Sequence, residues 1–176
     1  CTVVIFGAAG DLARRKLIPA LFTLASEGCF SQGFDVIGVA RRNFDDAAYR
    51  EQMRLTPGNV PSEQWEQFAR SLHFVPGDLS DPKTYTDLAR RLEELEGLRK
   101  RPPNRLYYCA IPPSLALPIV ERLGASGLAR NDRGWCRIVL EKPFGRNLAE
   151  ARSLNEQVLR VFAEEQVFRI DHYLGK

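Results

Sequence analysis

Six short apolar runs, each separated from the next by a stretch of helical spacing, constrain the fold of this chain more than any other feature. They occupy residues 2–6, 35–40, 73–75, 106–110, 137–140 and 167–170. The first, Thr2-Val3-Val4-Ile5-Phe6, is unbroken and ends in glycine, the pattern of a strand buried on both faces. Leu17, Leu21, Leu24 and Ala25 form a helical stripe that Gly28 ends. Pro19 falls inside that stripe, so the helix is expected to start near Ile18 or to kink there. Tyr85, Leu88, Leu92 and Leu95 mark another helix, with Asp81 as its N-cap and Pro82 in its first turn. Residues 44–54, 62–71, 115–124 and 148–162 supply the remaining helices, and residues 99–103 read as a loop. Parallel strands require crossovers, and buried strands alternating with helices supply them. The expected fold is therefore α/β, a Rossmann-like doubly wound parallel sheet with strand order 3-2-1-4-5-6, in one domain over residues 1–176.

Composition narrows the function by exclusion. The chain has 25 basic and 22 acidic residues, a net charge of +3 that gives no argument for nucleic acid. Its basic clusters, Arg14-Arg15-Lys16 and Arg99-Lys100-Arg101, are short. No apolar stretch approaches the roughly 20 residues that cross a bilayer, and no signal peptide is expected. Cys1, Cys29, Cys109 and Cys136 have neither metal-site nor disulfide spacing, so reduced thiols in a cytoplasmic protein are expected, with no metal. Cys109 and Cys136 stand in apolar runs and read as small buried hydrophobes. The chain starts at Cys1 and its first strand follows at once, so both ends are expected to be cuts at a domain boundary.

The first strand leads directly into Gly7-Ala8-Ala9-Gly10-Asp11-Leu12-Ala13. Glycine permits a tight turn and a close approach to pyrophosphate, whose charge then meets helix N-terminal amides. Placed between strand and helix, this loop points to a dinucleotide. The end of the second strand indicates which one. An NAD site carries an acidic residue there, whereas this chain has Ala40-Arg41-Arg42-Asn43 and no carboxylate before Asp45. Arg41 suits a 2′-phosphate, because its planar fork pairs with phosphate oxygens. NADP is the expected cofactor. Asp78 and Leu79, after the third strand, would wall the adenine.

The fourth strand ends in Tyr107-Tyr108-Cys109-Ala110-Ile111-Pro112-Pro113 and the fifth in Glu141-Lys142-Pro143-Phe144-Gly145. The sixth runs into Arg169-Ile170-Asp171-His172-Tyr173-Leu174-Gly175-Lys176, which packs an acid, an imidazole, a phenol and an ammonium into six positions. An open parallel sheet presents its chemistry at such carboxyl ends. Together with Asn104-Arg105-Leu106-Tyr107-Tyr108, these motifs cover the whole chain and resemble the glucose-6-phosphate dehydrogenase family.

The resemblance implies hydride transfer from C1 of glucose 6-phosphate to NADP, giving 6-phosphogluconolactone, the first step of the pentose phosphate pathway. It implies that the loop from Gly7 through Ala8, Ala9, Gly10 and Asp11 to Leu12 holds the cofactor, and that Arg41 holds its 2′-phosphate. Tyr108 and Lys142 would lie near the nicotinamide, with Lys142 also touching the sugar. His172, Tyr173 and Lys176 would grip the sugar phosphate, and Lys16 would add positive charge. Asp171 would pair with a separate histidine, the general base. The chain has two histidines: His73 opens the third strand at the amino edge, and His172 is taken by phosphate binding. The base, the rest of the sugar site and a homo-oligomer interface would then come from a following domain. The expectation is a chain that binds NADP but turns over glucose 6-phosphate weakly or not at all alone. The alternative is a stand-alone NADP-binding module without catalysis.

Overall fold

In the computed structural model, β1 (Thr2–Phe6), β2 (Asp35–Ala40), β3 (Leu72–Pro76), β4 (Arg105–Cys109), β5 (Cys136–Glu141) and β6 (Val167–Ile170) form one sheet. The structure describes residues 1–30, 33–54, 62–98 and 102–171. Every pairing is parallel, in the order β3-β2-β1-β4-β5-β6, as expected from the alternation of the sequence. Ile5 lies opposite Gly38 on one side and Tyr108 on the other. The chain therefore winds outward from β1 in both directions, and the gap between the ends of β1 and β4 is the switch point of the sheet.

Side chains alternate across the sheet with a period of two, which gives two cores. Val4, Phe6, Ile37 and Tyr107 face α4 (Pro82–Gly97), α5 (Ala116–Ala125) and α6 (Leu148–Leu159), whose Leu88, Leu92, Ile119 and Val158 are buried against them. Val3, Ile5, Val36 and Phe74 face α1 (Ile18–Ser26), α2 (Asp46–Gln52) and α3 (Ser62–Ala69), through Phe22, Tyr49, Trp65 and Phe68. Burying each such side chain contributes about 1.5–3 kcal/mol. The second face of β5 and β6 carries Arg137, Val139 and Phe168, and none of these joins either core. Phe168 is 44% exposed there, and the Arg137 guanidinium spreads over it and over Trp135.

The first helix is disturbed at Ile18, as Pro19 led one to expect. Residues 11–26 are helical throughout, but Ala13–Leu17 form a wide π turn before α1 begins at Ile18. Pro19 lacks an N–H, so it cannot close an ordinary i→i−4 bond, and the Ile18 amide instead reaches back five residues to the Ala13 carbonyl. The helix over 44–54 is shorter than expected because the Asp45 carboxylate caps it, accepting from the Ala48 amide at 2.7 Å. Asp81 caps α4 as expected, accepting from the Lys83 amide at 2.9 Å. α6 stops at Leu159 instead of continuing to Phe162, whose ring is nevertheless buried. His73 lies at the amino edge, with Nε2 3.3 Å from Asp35 and Nδ1 3.0 Å from the Arg91 guanidinium. It is part of a structural network, away from the carboxyl edge.

Candidate functional site

Parallel pairing places the carboxyl ends of all six strands on one edge of the sheet. At the end of β1, Gly7 has φ +84, a conformation that favours glycine. A Cβ there would lie 2.2 Å from the Ala110 carbonyl oxygen. The approach is this close because the Ala110 amide donates to Phe6 O at 3.0 Å and draws the loop after β4 over the turn. The Gly7 and Ala8 amides donate to Val39 O, and the Gly10 amide to Gly7 O. The turn is thus tied to β2, and its remaining amides open onto the first helical turn, where backbone N–H groups have no intrahelical acceptor. Ala8, expected to touch the cofactor, is fully buried, has its amide donated to Val39 O and does not line the cleft described below.

A cleft of about 610 Å³ runs from this turn across the switch point. Gly7, Ala9 and Gly10 form its floor, Arg41 and Arg42 its β2 side, and Asp78, Leu79 and Ser80 its β3 side. Ile111, Leu115 and Pro118 give it an apolar wall. Asp78 accepts from both the amide and the hydroxyl of Ser80, at 2.8 and 2.7 Å. Those two bonds, and then the Arg41 charge, hold its carboxyl below the usual carboxylate range. The loop is fixed from beneath: Thr84 Oγ1 donates to Asp78 O, and the Tyr85 hydroxyl to Leu79 O.

The residue types in this cleft fit a phosphorylated dinucleotide. A side-chain-free turn accepts pyrophosphate, paired guanidinium groups accept a further phosphate, and the apolar wall accepts a base. Arg42, Ser80 and the wall of Ile111, Leu115 and Pro118 were not singled out from the sequence. The Ile111-Pro112-Pro113 run after β4 was the available signal for the wall.

A second group of polar residues lies along the same edge. The Tyr108 hydroxyl donates to Glu141 Oε1 at 2.6 Å. Lys142, next in sequence, forms an ion pair with Asp171 across the ends of β5 and β6, and its amide donates to Ile170 O. The Lys142–Pro143 peptide is cis. Asp171, expected to face a histidine, thus meets a lysine among the described residues, because β5 and β6 are neighbours. Asp11 forms an exposed pair with Arg15 at 3.6 Å, Leu12 is half-buried, and Lys16 is exposed on the π turn; none of the three lines the cleft. His172, Tyr173 and Lys176 lie outside the described residues. Among the described residues no group of three or more His, Cys, Asp or Glu could hold a metal ion. No described helix is long and apolar enough to cross a membrane.

Residues 4–176 match the family model described as glucose-6-phosphate dehydrogenase, NAD binding domain. The glucose-6-phosphate 1-dehydrogenase of Aggregatibacter actinomycetemcomitans is 45% identical over 179 residues, covering 100% of this chain and 36% of that protein. The Bacillus subtilis enzyme of the same name is 37% identical, covering 99% of this chain and 35% of its own length. A solved glucose-6-phosphate dehydrogenase in complex with its substrate glucose-6-phosphate superposes with a TM-score of 0.88 at 34% identity, over 99% of this chain and 37% of that one. The Mycobacterium avium glucose-6-phosphate 1-dehydrogenase gives 0.81 at 32% identity, over 97% of this chain and 36% of that one. The chain thus spans about a third of the length of these relatives.

Proposed function

Since the chain belongs to the glucose-6-phosphate dehydrogenase family over residues 4–176, we propose that it forms the NADP-binding part of an enzyme that oxidises glucose 6-phosphate to 6-phosphogluconolactone. The observation that carries this reading is the cleft at the switch point, bounded on the β2 side by Arg41 and Arg42. When bound, NADP supplies the nicotinamide that accepts hydride from C1 of the sugar. The loop from Gly7 to Leu12 holds the pyrophosphate with the amides that the turn leaves open, and Arg41 pairs with the 2′-phosphate. Asp78 and Leu79 border the adenine. Tyr108 and Lys142 stand toward the nicotinamide, and Lys142 also reaches the sugar.

His172, Tyr173 and Lys176 take the sugar phosphate, as the family resemblance implies, and Lys16 adds positive charge. Asp171 orients the general-base histidine and stabilises it when it takes up the C1 hydroxyl proton. That histidine, the rest of the sugar site and the surface through which such an enzyme oligomerises would come from polypeptide beyond this chain.

The test is titration of the full-length polypeptide with NADP and with NAD, comparing wild type with Arg41→Ala. Loss of charge-assisted bonds to one phosphate is expected to weaken NADP roughly ten- to a hundredfold and leave NAD unchanged. Equal affinity of the wild type for both dinucleotides, or an equal loss for both in the variant, would overturn the assignment of the 2′-phosphate to Arg41.

A further inference from the structure

Asp78 lines the β3 side of the cleft, and its two carboxylate oxygens have different surroundings. The amide and the hydroxyl of Ser80 both donate to Oδ1, whereas Oδ2 takes no hydrogen bond among the described residues. The Arg41 charge acts on Asp78, but no ion pair joins the two among the described residues. The guanidinium is thus left for a phosphate, and the carboxylate keeps one oxygen for another group. The backbone behind it is fixed. Asp78 O accepts from the Asp81 amide at 3.0 Å and from Thr84 Oγ1 at 2.7 Å. A Cβ at Gly77 would lie 2.2 Å from Thr84 Oγ1, so the loop packs closely on the first turn of α4. Although the Asp78 side chain is exposed, it is held from both ends.

An ionised carboxylate accepts hydrogen bonds and donates none. The two Ser80 bonds favour the ionised form, so Oδ2 is an acceptor at neutral pH. The same cleft has an apolar wall of Ile111, Leu115 and Pro118, which suits the flat face of a base. A fixed acceptor in such a cleft selects by the edge of that base. Adenine carries an amino donor at C6, whereas guanine and hypoxanthine carry an oxygen acceptor at that position. We propose that Asp78 sets the base specificity of the cleft: Oδ2 accepts from the 6-amino group of adenine, and Ser80 holds the carboxylate in place. This rests on the dinucleotide reading of the cleft and adds which base the cleft takes.

The experiment is titration of the full-length polypeptide with NADP and with its hypoxanthine analogue, in which an oxygen replaces the 6-amino group. Wild type, Asp78→Ala and Asp78→Asn are compared by the ratio of the two Kd values. Wild type is expected to bind NADP about tenfold more tightly than the analogue. Asp78→Ala removes the acceptor and is expected to bring the two within about twofold of each other. Asp78→Asn is the sharper variant. The two Ser80 donors claim its amide oxygen, so its NH2 group takes the place of Oδ2 and donates. The preference is then expected to reverse, with the analogue bound about threefold or more tightly than NADP. Reading a ratio cancels the gain in phosphate affinity that comes from removing a negative charge near Arg41. Equal binding of both dinucleotides by wild type, or an unchanged preference in Asp78→Asn, would overturn the proposal and leave the dinucleotide reading standing. Failure of wild type to bind NADP would overturn both.

Discussion

Tyr49 shows how closely α2 approaches the sheet below the glycine turn. A Cβ added at Gly38 would lie 2.6 Å from the Tyr49 ring, so β2 presents a bare backbone where the ring packs. The ring is fully buried and sits 4.9 Å from that of Phe74, centroid to centroid. Its hydroxyl has no hydrogen-bond partner among the described residues. A buried, unpaired hydroxyl carries its desolvation penalty without compensation. Tyr49→Phe keeps the packing and removes the penalty, so urea denaturation is expected to give a stability equal to wild type or higher by about 1 kcal/mol. A loss of that size would reveal a partner for the hydroxyl. The sequence placed Tyr49 on a helix but could not indicate that its hydroxyl is isolated, because that depends on α2 crossing β2 at Gly38. Arg41 differs in this respect: its place follows from strand β2 ending, which is written locally.

A buried ion pair joins α4 to β4. Arg105 opens β4 and donates through Nε and Nη2 to the two carboxylate oxygens of Glu96, at 2.7 and 2.8 Å. The side chains are only 10% and 7% exposed. Glu96→Ala would strand a buried guanidinium, with an expected cost of about 3–5 kcal/mol in thermal or denaturant unfolding. Replacing both residues by leucine is expected to recover most of that loss, because the desolvation cost goes with the charges. Neither residue stood out in the sequence, since they are nine positions apart and join only when α4 runs back beneath β4. The helix caps were more legible. Asp81 before Pro82 announces its own role, because capping is a contact between near neighbours. The π turn at Ala13–Leu17 lies between these cases. Pro19 signalled a disturbance, and only the register of the hydrogen bonds located it one turn earlier.

For the molecule as a whole, the buried thiols and phenols form a group of acids that ionise at high pH. Burial pushes the Cys109 thiol up to about 12 and the Cys136 thiol up to about 11. It also raises the phenols of Tyr49, Tyr85, Tyr107 and Tyr108 above their usual range. In the unfolded chain these thiols ionise near 9.0 and these phenols near 10.0. Each folded-state value is raised, so the stabilisation is fully present below pH 9 and is lost as pH rises from there toward 12. Each group that stays protonated only in the fold steepens the decline by about 1.4 kcal/mol per pH unit. Urea midpoints are expected to fall sharply between pH 9 and 11 and to change little between pH 7 and 8. A flat profile through pH 11 would contradict this account of the two cores.

By itself the sequence determined the layered architecture, the strand order and the edge on which the candidate site residues stand. Each of these follows from a local period or a local motif: apolar runs, helical stripes, glycines after a strand, arginines at the end of β2. The tertiary structure decided what those residues touch. Parallel pairing of β4 with β5 brings Tyr108 to Glu141, 33 positions away, and pairing of β5 with β6 brings Lys142 to Asp171. It also draws Ala110 over Gly7 and joins Arg41, Leu79 and Ile111 around one cleft. Periodicity fixes the face on which a side chain lies. Its partner is fixed by the register between strands distant in sequence, which exists only once the sheet has formed.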